Sequence, residues 1–487
     1  MPAKLIWTRI NNAKVFGLAI IFSSFFIGVF RESFWSDDYP ALIGTRAMAT
    51  HLLADARPTS AGLLSASFSL LNSPSHAWIL RTLALLGLAL IFLFVSKKLE
   101  NTKDRDFGVI AIAIAFCLPS FQMYIHWVTA WYYPWAGLAG LYSFQLWSTN
   151  SLVRRISAVL VLGLALTTYP PAALFFFATF SVIGAVNGSA SAGVLKDARR
   201  GATLFIFASV LAGLVATFSL KVAGVSSSDR VRLVNFSEIP TKIVWILSRP
   251  IVVGLRPFTV DSPNPKFALM TAFPMLLLLV VGVARQSRRL RENALHRALS
   301  QMVPLLLSLA PIAVASDNQI EFRIIPGYCW GAALGAFYLF IESQTLLHKL
   351  RASRIPKLEL KWFAPAILSF VAIGTVNLHF NQLFGSPYQV KTAFLNSEIS
   401  GCLEKGGTDS IVIYPPKTPF PVYQRLGVFS ISTDLASTWV PQPNVELLLR
   451  QRKAVLAVSY LDKRPTDLAP HPGECILDLE EFRASIK

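Results

Sequence analysis

The sequence predicts a mainly α-helical, polytopic membrane protein carrying a small α/β domain at its C-terminal end. Three observations predict it. Hydrophobic residues fill 53% of the 487 positions and charged residues only 15%, too apolar a balance for a water-soluble domain. The apolar residues come in blocks near bilayer-spanning length, not at amphipathic spacing. After residue 381 the pattern changes to short strand-like runs between helical ones. That change divides the chain into a transmembrane part, 1–381, and a tail domain, 382–487, of ordinary domain size.

The first block is 15–30. It is followed by Arg31-Glu32-Ser33-Phe34-Trp35, which lacks the small residues of a cleavage site, so it reads as a retained helix. Lys4, Arg9 and Lys14 precede it and set the N-terminus in the cytoplasm. Residues 41–56 read as an interfacial helix broken by Pro58, its apolar stripe interrupted by Arg46, His51 and Asp55. Residues 63–71 are too short to span and read as a second interfacial piece. Spans follow at 78–95, 108–123 and 137–147, the last two joined by an aromatic turn with Tyr124, His126, Trp127, Trp131, Tyr132, Tyr133 and Trp135. Residues 156–168 and 172–186 form a hairpin hinged at Tyr169-Pro170-Pro171, where proline opposes continuation.

A span at 203–220 leads into a long polar connection, 221–266, in which 239–255 reads as an interfacial or re-entrant helix carrying Lys242, Arg249 and Pro250. Spans at 267–283, 303–315, 326–346 and 363–378 bring the total to about eleven. In the tail, 410–415, 454–460 and 475–479 read as strands, and 393–402 and 445–452 as helices. The tail holds no phosphate-cradling glycine loop.

The formal charge of +18 does not point to nucleic acid. Basic and acidic residues balance in the tail, so the excess lies in the membrane part, mainly in short loops on alternate sides. Arg285, Arg288, Arg289, Arg291 and Arg297 are its strongest cluster. Such a distribution encodes topology, and no basic face builds up in one domain. The tail then lies outside the cytoplasm, with the basic 221–266 loop as the exception to the charge rule. Cys117 and Cys329 read as packing residues, and the external Cys402 and Cys475 as one disulfide. No Cys/His spacing resembles a zinc site.

The stretch Phe34-Trp35-Ser36-Asp37-Asp38-Tyr39-Pro40 follows directly on the first span. Adjacent carboxylates at a span end are costly near hydrocarbon and mark a site by default; the plain alternative is a solvated helix end. The topology gathers on the same face Arg46, the aromatic turn with His126, the basic 221–266 loop, and Glu321 with Arg323. Glycosyl transfer from a lipid phosphate needs such a set. A carboxylate takes the acceptor proton, cations stabilise the departing phosphate, and flat aromatic faces suit sugar rings. Arg323 is the first choice for the phosphate because a guanidinium grips it in bidentate fashion; Arg249, Arg256, Arg46 and Lys242 are weaker choices. Tyr39, His126, Trp127, Trp131, Tyr132, Tyr133 and Glu321 are the substrate-binding candidates. The bland readings are an Arg323 ion pair with Glu321 or Asp317, a hydrogen-bonded His126, and an aromatic belt without a ligand.

The form Trp35-Ser36-Asp37-Asp38-Tyr39, with Arg57-Pro58 about twenty residues on, resembles the type II serotype-converting O-antigen glucosyltransferases. The architecture of residues 1 to about 380 is similar to the GT-C superfamily of lipid-linked-sugar glycosyltransferases. The resemblance implies inverting transfer from a polyprenyl-phosphate sugar to an O-antigen or lipopolysaccharide-type acceptor, in the periplasm at a bacterial inner membrane. It makes Asp37 or Asp38 the general base, the second acid orienting the acceptor or holding a divalent cation (Mg, Mn or Ca). It does not reach the tail. The other classes left open are a transporter or flippase of lipid-linked sugars, which needs ionisable residues along a path through the spans, and an assembly protein that works through its tail.

Overall fold

The computed structural model describes residues 3–34, 37–71, 73–100, 102, 104–251, 265–316, 325–350, 362–404, 407–416, 441–461 and 471–485. Helix α1 (Ala3–Phe30) leads to three short helices, α2 (Asp38–Ile43), α3 (Thr45–Ala54) and α4 (Pro58–Phe68). Then come α5 (Ala77–Lys97), α6 (Arg105–Phe116), α7 (Pro119–His126), α8 (Tyr133–Trp147) and α9 (Leu152–Thr168). They are followed by α10 (Pro170–Ala173), α11 (Phe175–Val186), α12 (Ser191–Ala223) and α13 (Ile239–Ser248). The bundle continues with α14 (Pro265–Leu290), α15 (Ala294–Leu307), α16 (Ala310–Val314), α17 (Pro326–Leu350) and α18 (Phe363–His379).

Every expected span falls on one or two of these helices. By length and composition, Asn12–Phe30, Pro74–Lys97, Ser191–Ala223 and Phe363–Glu404 can each cross a bilayer, and α6 with α7 makes a fifth if the bent pair is one span. The outer faces agree. On α12, Phe207, Leu214 and Phe218 are more than half exposed, and so continuous an apolar surface is untenable in water. Several long apolar helices of this kind mark a multi-pass membrane protein. Helix α6 is its centre, buried at every residue from Phe107 to Phe116, as a helix apolar all round must be. Helix α1 packs along α5, α6 and α18.

Four expectations need correction. The expected span at 108–123 is two helices bent by 57°. Pro119 opens the second one, a position that fits its fixed φ and missing N–H. The expected helix at 41–56 is likewise two, divided at Gly44. Pro58 does not only break it but starts α4, which takes in most of the apolar 63–71.

Helix α18 runs through a π-helical stretch, Phe380–Gly385, into α19 (Ser386–Glu404), so the expected boundary at 382 falls inside one rod. Beyond it, β1 (Ser410–Tyr414), α20 (Pro441–Gln451), β2 (Ala457–Tyr460), β3 (Glu474–Asp478) and α21 (Leu479–Ser485) form the tail. The sheet is parallel, in the order β2-β1-β3, and α20 supplies the crossover that a parallel β1–β2 pair requires. Leu395, Ile399, Ile411, Val445 and Leu477 build a second apolar core there. Cys402 at the end of α19 is disulfide-bonded to Cys475 on β3.

Candidate functional site

The acid pair sits where the chain leaves α1. Residues 31–34 are held by Arg81 of α5, whose guanidinium is 1% exposed. It donates to the carbonyls of Gly28 (3.3 Å), Arg31 (2.9 Å) and Ser33, to the Ser33 hydroxyl (2.8 Å) and to the His126 carbonyl (3.2 Å). Carbonyls at a helix C-terminus lack partners within the helix and favour a cation. One buried arginine therefore fixes both the end of α1 and the turn after α7. Sequence reasoning missed Arg81, although an arginine near the start of an otherwise apolar span is a signal.

The two aspartates are not equivalent. Asp38, the first residue of α2, is fully buried. Its Oδ1 accepts the Thr129 N–H at 2.9 Å and its Oδ2 the Val128 N–H at 3.4 Å. The Val128 and Thr129 amides and the nearby Arg81 guanidinium face its carboxylate. Asp38 is an anchor between α2 and the aromatic turn. Asp37 is only half-buried and is the more accessible carboxylate of the two. Both Asp38 oxygens accept amides, and among the described residues no group of three or more His, Cys, Asp or Glu could hold a metal ion.

The aromatic turn is no exposed belt. Trp127, Tyr132 and Tyr133 are buried, and Trp131 donates its indole N–H to the Ser67 hydroxyl at 3.2 Å. Tyr132 lies within electrostatic reach of Asp37, Arg57 and Ser60, and burial pushes its phenol far above the usual range, so it is a neutral donor. Tyr133 stacks on Tyr169 with ring centres 3.6 Å apart. His126, expected as a substrate-binding or hydrogen-bonded residue, is fully buried against Phe25, Phe380 and Phe384, and among the described residues neither ring nitrogen has a hydrogen-bond partner. Gly28 permits the approach, since a Cβ there would come within 2.1 Å of the imidazole.

Arg57 is a second cation beside this group, within electrostatic reach of Tyr132. Ala56 before it has φ 56°, in the left-handed region. The Arg57 N–H donates to Leu52 O and the Ala56 N–H to Leu53 O, both at 2.9 Å, which closes α3 as a Schellman turn without its usual glycine. Thr59 and Ser60 then pin the start of α4 to Thr167 (2.7 Å) and Thr168 (2.5 Å) at the end of α9. So held, the guanidinium lies 5.5 Å from the Tyr169 ring centre. It borders a cavity of about 370 Å³, the size of a small-ligand site. Leu166, Phe205 and Ile312 contribute to its apolar walls, and Asp55, Arg57 and Arg230 carry its charge. Asp55 is buried and engaged by Ser228 (2.6 Å) and Arg230 (3.8 Å).

Of the other expected cations, the three that are described do not line this cavity. Arg46 on α3 and Arg249 at the end of α13 are exposed and do not line the cavity. Lys242 is buried, 4.3 Å from the Trp245 ring centre. Arg256, Glu321 and Arg323 lie outside the described residues. Tyr39 is buried beside Asp38, edge-on to Phe34, and donates to the Phe34 carbonyl at 3.2 Å. Compared with known proteins, this chain matches no family model and no curated protein.

Proposed function

We propose that the protein is a membrane glycosyltransferase, moving a sugar from a polyprenyl-phosphate donor to an envelope glycan on the extracytoplasmic face of a bacterial inner membrane. One observation carries this reading. An accessible acid, Asp37, and a cation, Arg57, both act on Tyr132, and Arg57 borders an apolar cavity. A base, a phosphate ligand and a groove for a greasy chain are then contiguous. The resemblance of Trp35-Ser36-Asp37-Asp38-Tyr39 and Arg57-Pro58 to O-antigen glucosyltransferases supports it, as does the GT-C-like run of about eleven apolar blocks.

In this mechanism Asp37 takes the proton of the acceptor hydroxyl as that oxygen attacks C1 of the donor sugar. The bond from C1 to the phosphate oxygen breaks on the opposite side, which inverts the centre. The departing phosphate gains negative charge, which Arg57 and Arg230 neutralise. Asp38 takes no proton; it holds α2 in place. A lipid-linked-sugar transporter would instead work through charges inside the spans, and Arg81, buried in α5, is engaged by backbone carbonyls.

The test is the envelope glycan of a host lacking this gene, complemented at matched expression and read by mass spectrometry. Wild type restores a sugar-sized increment. Asp37→Asn lowers it by roughly 10²–10⁴-fold, the range for loss of a general base, and Arg57→Ala lowers it as well. Full restoration by both variants would overturn the reading.

A further inference from the structure

The tail does not stand apart from the acid pair. Helix α20 packs on α2, the helix that Asp38 opens, and Leu447 of α20 joins the apolar core of the membrane part. The rod that feeds the tail is tied to the same region by side chains. Arg31 donates to Asn381 Oδ1 at 2.5 Å and to Gln389 Oε1 at 2.9 Å, and the Tyr388 hydroxyl donates to Glu32 at 2.9 Å. Lys391 of α19 donates to the Tyr39 hydroxyl at 2.8 Å, its ammonium 4.2 Å from the ring centre.

Lys391 carries the most information. It is 4% exposed, and an ammonium is costly to hold out of water without specific partners. Its partner Tyr39 is fixed against Phe34 by ring contact and hydrogen bond and adjoins Asp38. At the far end of the same helix, the disulfide from Cys402 to Cys475 fixes the rod to the sheet. We infer that Lys391 is a positioning residue for Asp37, and that the tail domain is a structural half of the acid site and not a separable accessory. The tail sets where α2 lies, α2 sets where its preceding carboxylate lies, and a base misplaced by about 1 Å can lose roughly 100-fold in rate.

This inference rests on the glycosyl-transfer reading, and the experiment separates the two. Full-length protein in detergent carries Lys391→Met, Lys391→Arg or Asp37→Asn. Hydrogen exchange is followed in the peptide covering 38–44, and transfer is followed with a polyprenyl-phosphate sugar. Lys391→Met is expected to raise exchange in 38–44 by about tenfold or more while α6 stays protected, since local opening is not shared across the fold. It lowers kcat roughly 10- to 100-fold with donor KM unchanged, and Lys391→Arg recovers part of both. Unchanged exchange in 38–44 overturns the inference whatever the activity. Raised exchange with undiminished kcat overturns it too, because the base is then placed without Lys391. Full transfer by Asp37→Asn overturns the parent reading instead, and leaves the exchange result to judge the tie between Lys391 and α2.

Discussion

Replacing Asp38 by alanine removes the acceptor of two amides in a wholly buried place, so the cost falls on stability before it reaches chemistry. Each stranded N–H costs about 1–3 kcal/mol. Asp38→Asn retains one acceptor oxygen and loses less. The expected pattern is a thermal unfolding temperature ordered wild type, Asp38→Asn, Asp38→Ala, with Asp37→Asn close to wild type. In transfer assays Asp38→Asn keeps more turnover than Asp37→Asn, which loses roughly 10²–10⁴-fold. The reverse order in both measurements would make Asp38 the base. The pair was legible as a site because its cost at a span end is a local property. Its inequality was not, because Asp38 is saturated by Thr129, 91 residues away in the chain. Arg57 entered only through the resemblance of Arg57-Pro58, and Lys391 not at all, for the same reason. Nothing near either residue in sequence says that it meets Tyr169 or Tyr39.

At the scale of elements, apolar blocks gave helices reliably, whereas breaks and ties depended on distant partners. The bend before Pro119 lies inside a run whose hydrophobicity is continuous, and the split at Gly44 inside a stretch of helical spacing. The hinge at Tyr169-Pro170-Pro171 was readable, since two prolines leave little else. Helix ends show what the charges do. The first N–H of α12, at Ser191, donates to Glu292 at 2.9 Å, and the Ser191 hydroxyl donates to the same carboxylate at 2.6 Å. These donors hold the Glu292 carboxyl below the usual range. A folded-state pKa below the unfolded one, about 4.3, gives stability that is fully present above that value and is lost as pH falls through the folded pKa. The unfolding temperature of wild type should therefore drop more steeply below about pH 5 than that of Glu292→Gln, which has no proton to gain. Equal slopes for the two proteins would mean that this cap contributes nothing to stability.

For the whole molecule, the decisive quantity is which side of the bilayer each loop occupies. The cationic loops alternate with the apolar blocks, and that alternation alone predicts a cytoplasmic N-terminus and an external tail. The helices add a constraint of their own. At 33 residues α12 is about 50 Å long, well beyond the roughly 30 Å of hydrocarbon. Its first turns, with Lys196, Arg199 and Arg200, therefore project on one side and Gly224 ends it toward the other. Helix α3 and the loop after α12 meet directly, Ser228 N–H donating to Ala54 O at 2.9 Å, so the C-terminal end of α12 shares a face with the acid pair. The tail shares that face through α20 on α2. Four single-cysteine reporters in a background with Cys117 and Cys329 replaced, at Lys98, Arg199, Ser226 and Lys453, test this with a membrane-impermeant maleimide on intact spheroplasts. Labelling is expected at Ser226 and Lys453, and at Lys98 and Arg199 only after lysis. Labelling of all four before lysis would indicate leaky cells, which a cytosolic cysteine control detects. Labelling of Lys98 with Ser226 protected would invert the topology and put the acid pair in the cytoplasm. A periplasmic lipid-linked donor could not then reach Asp37, and the proposed reaction would fall with it.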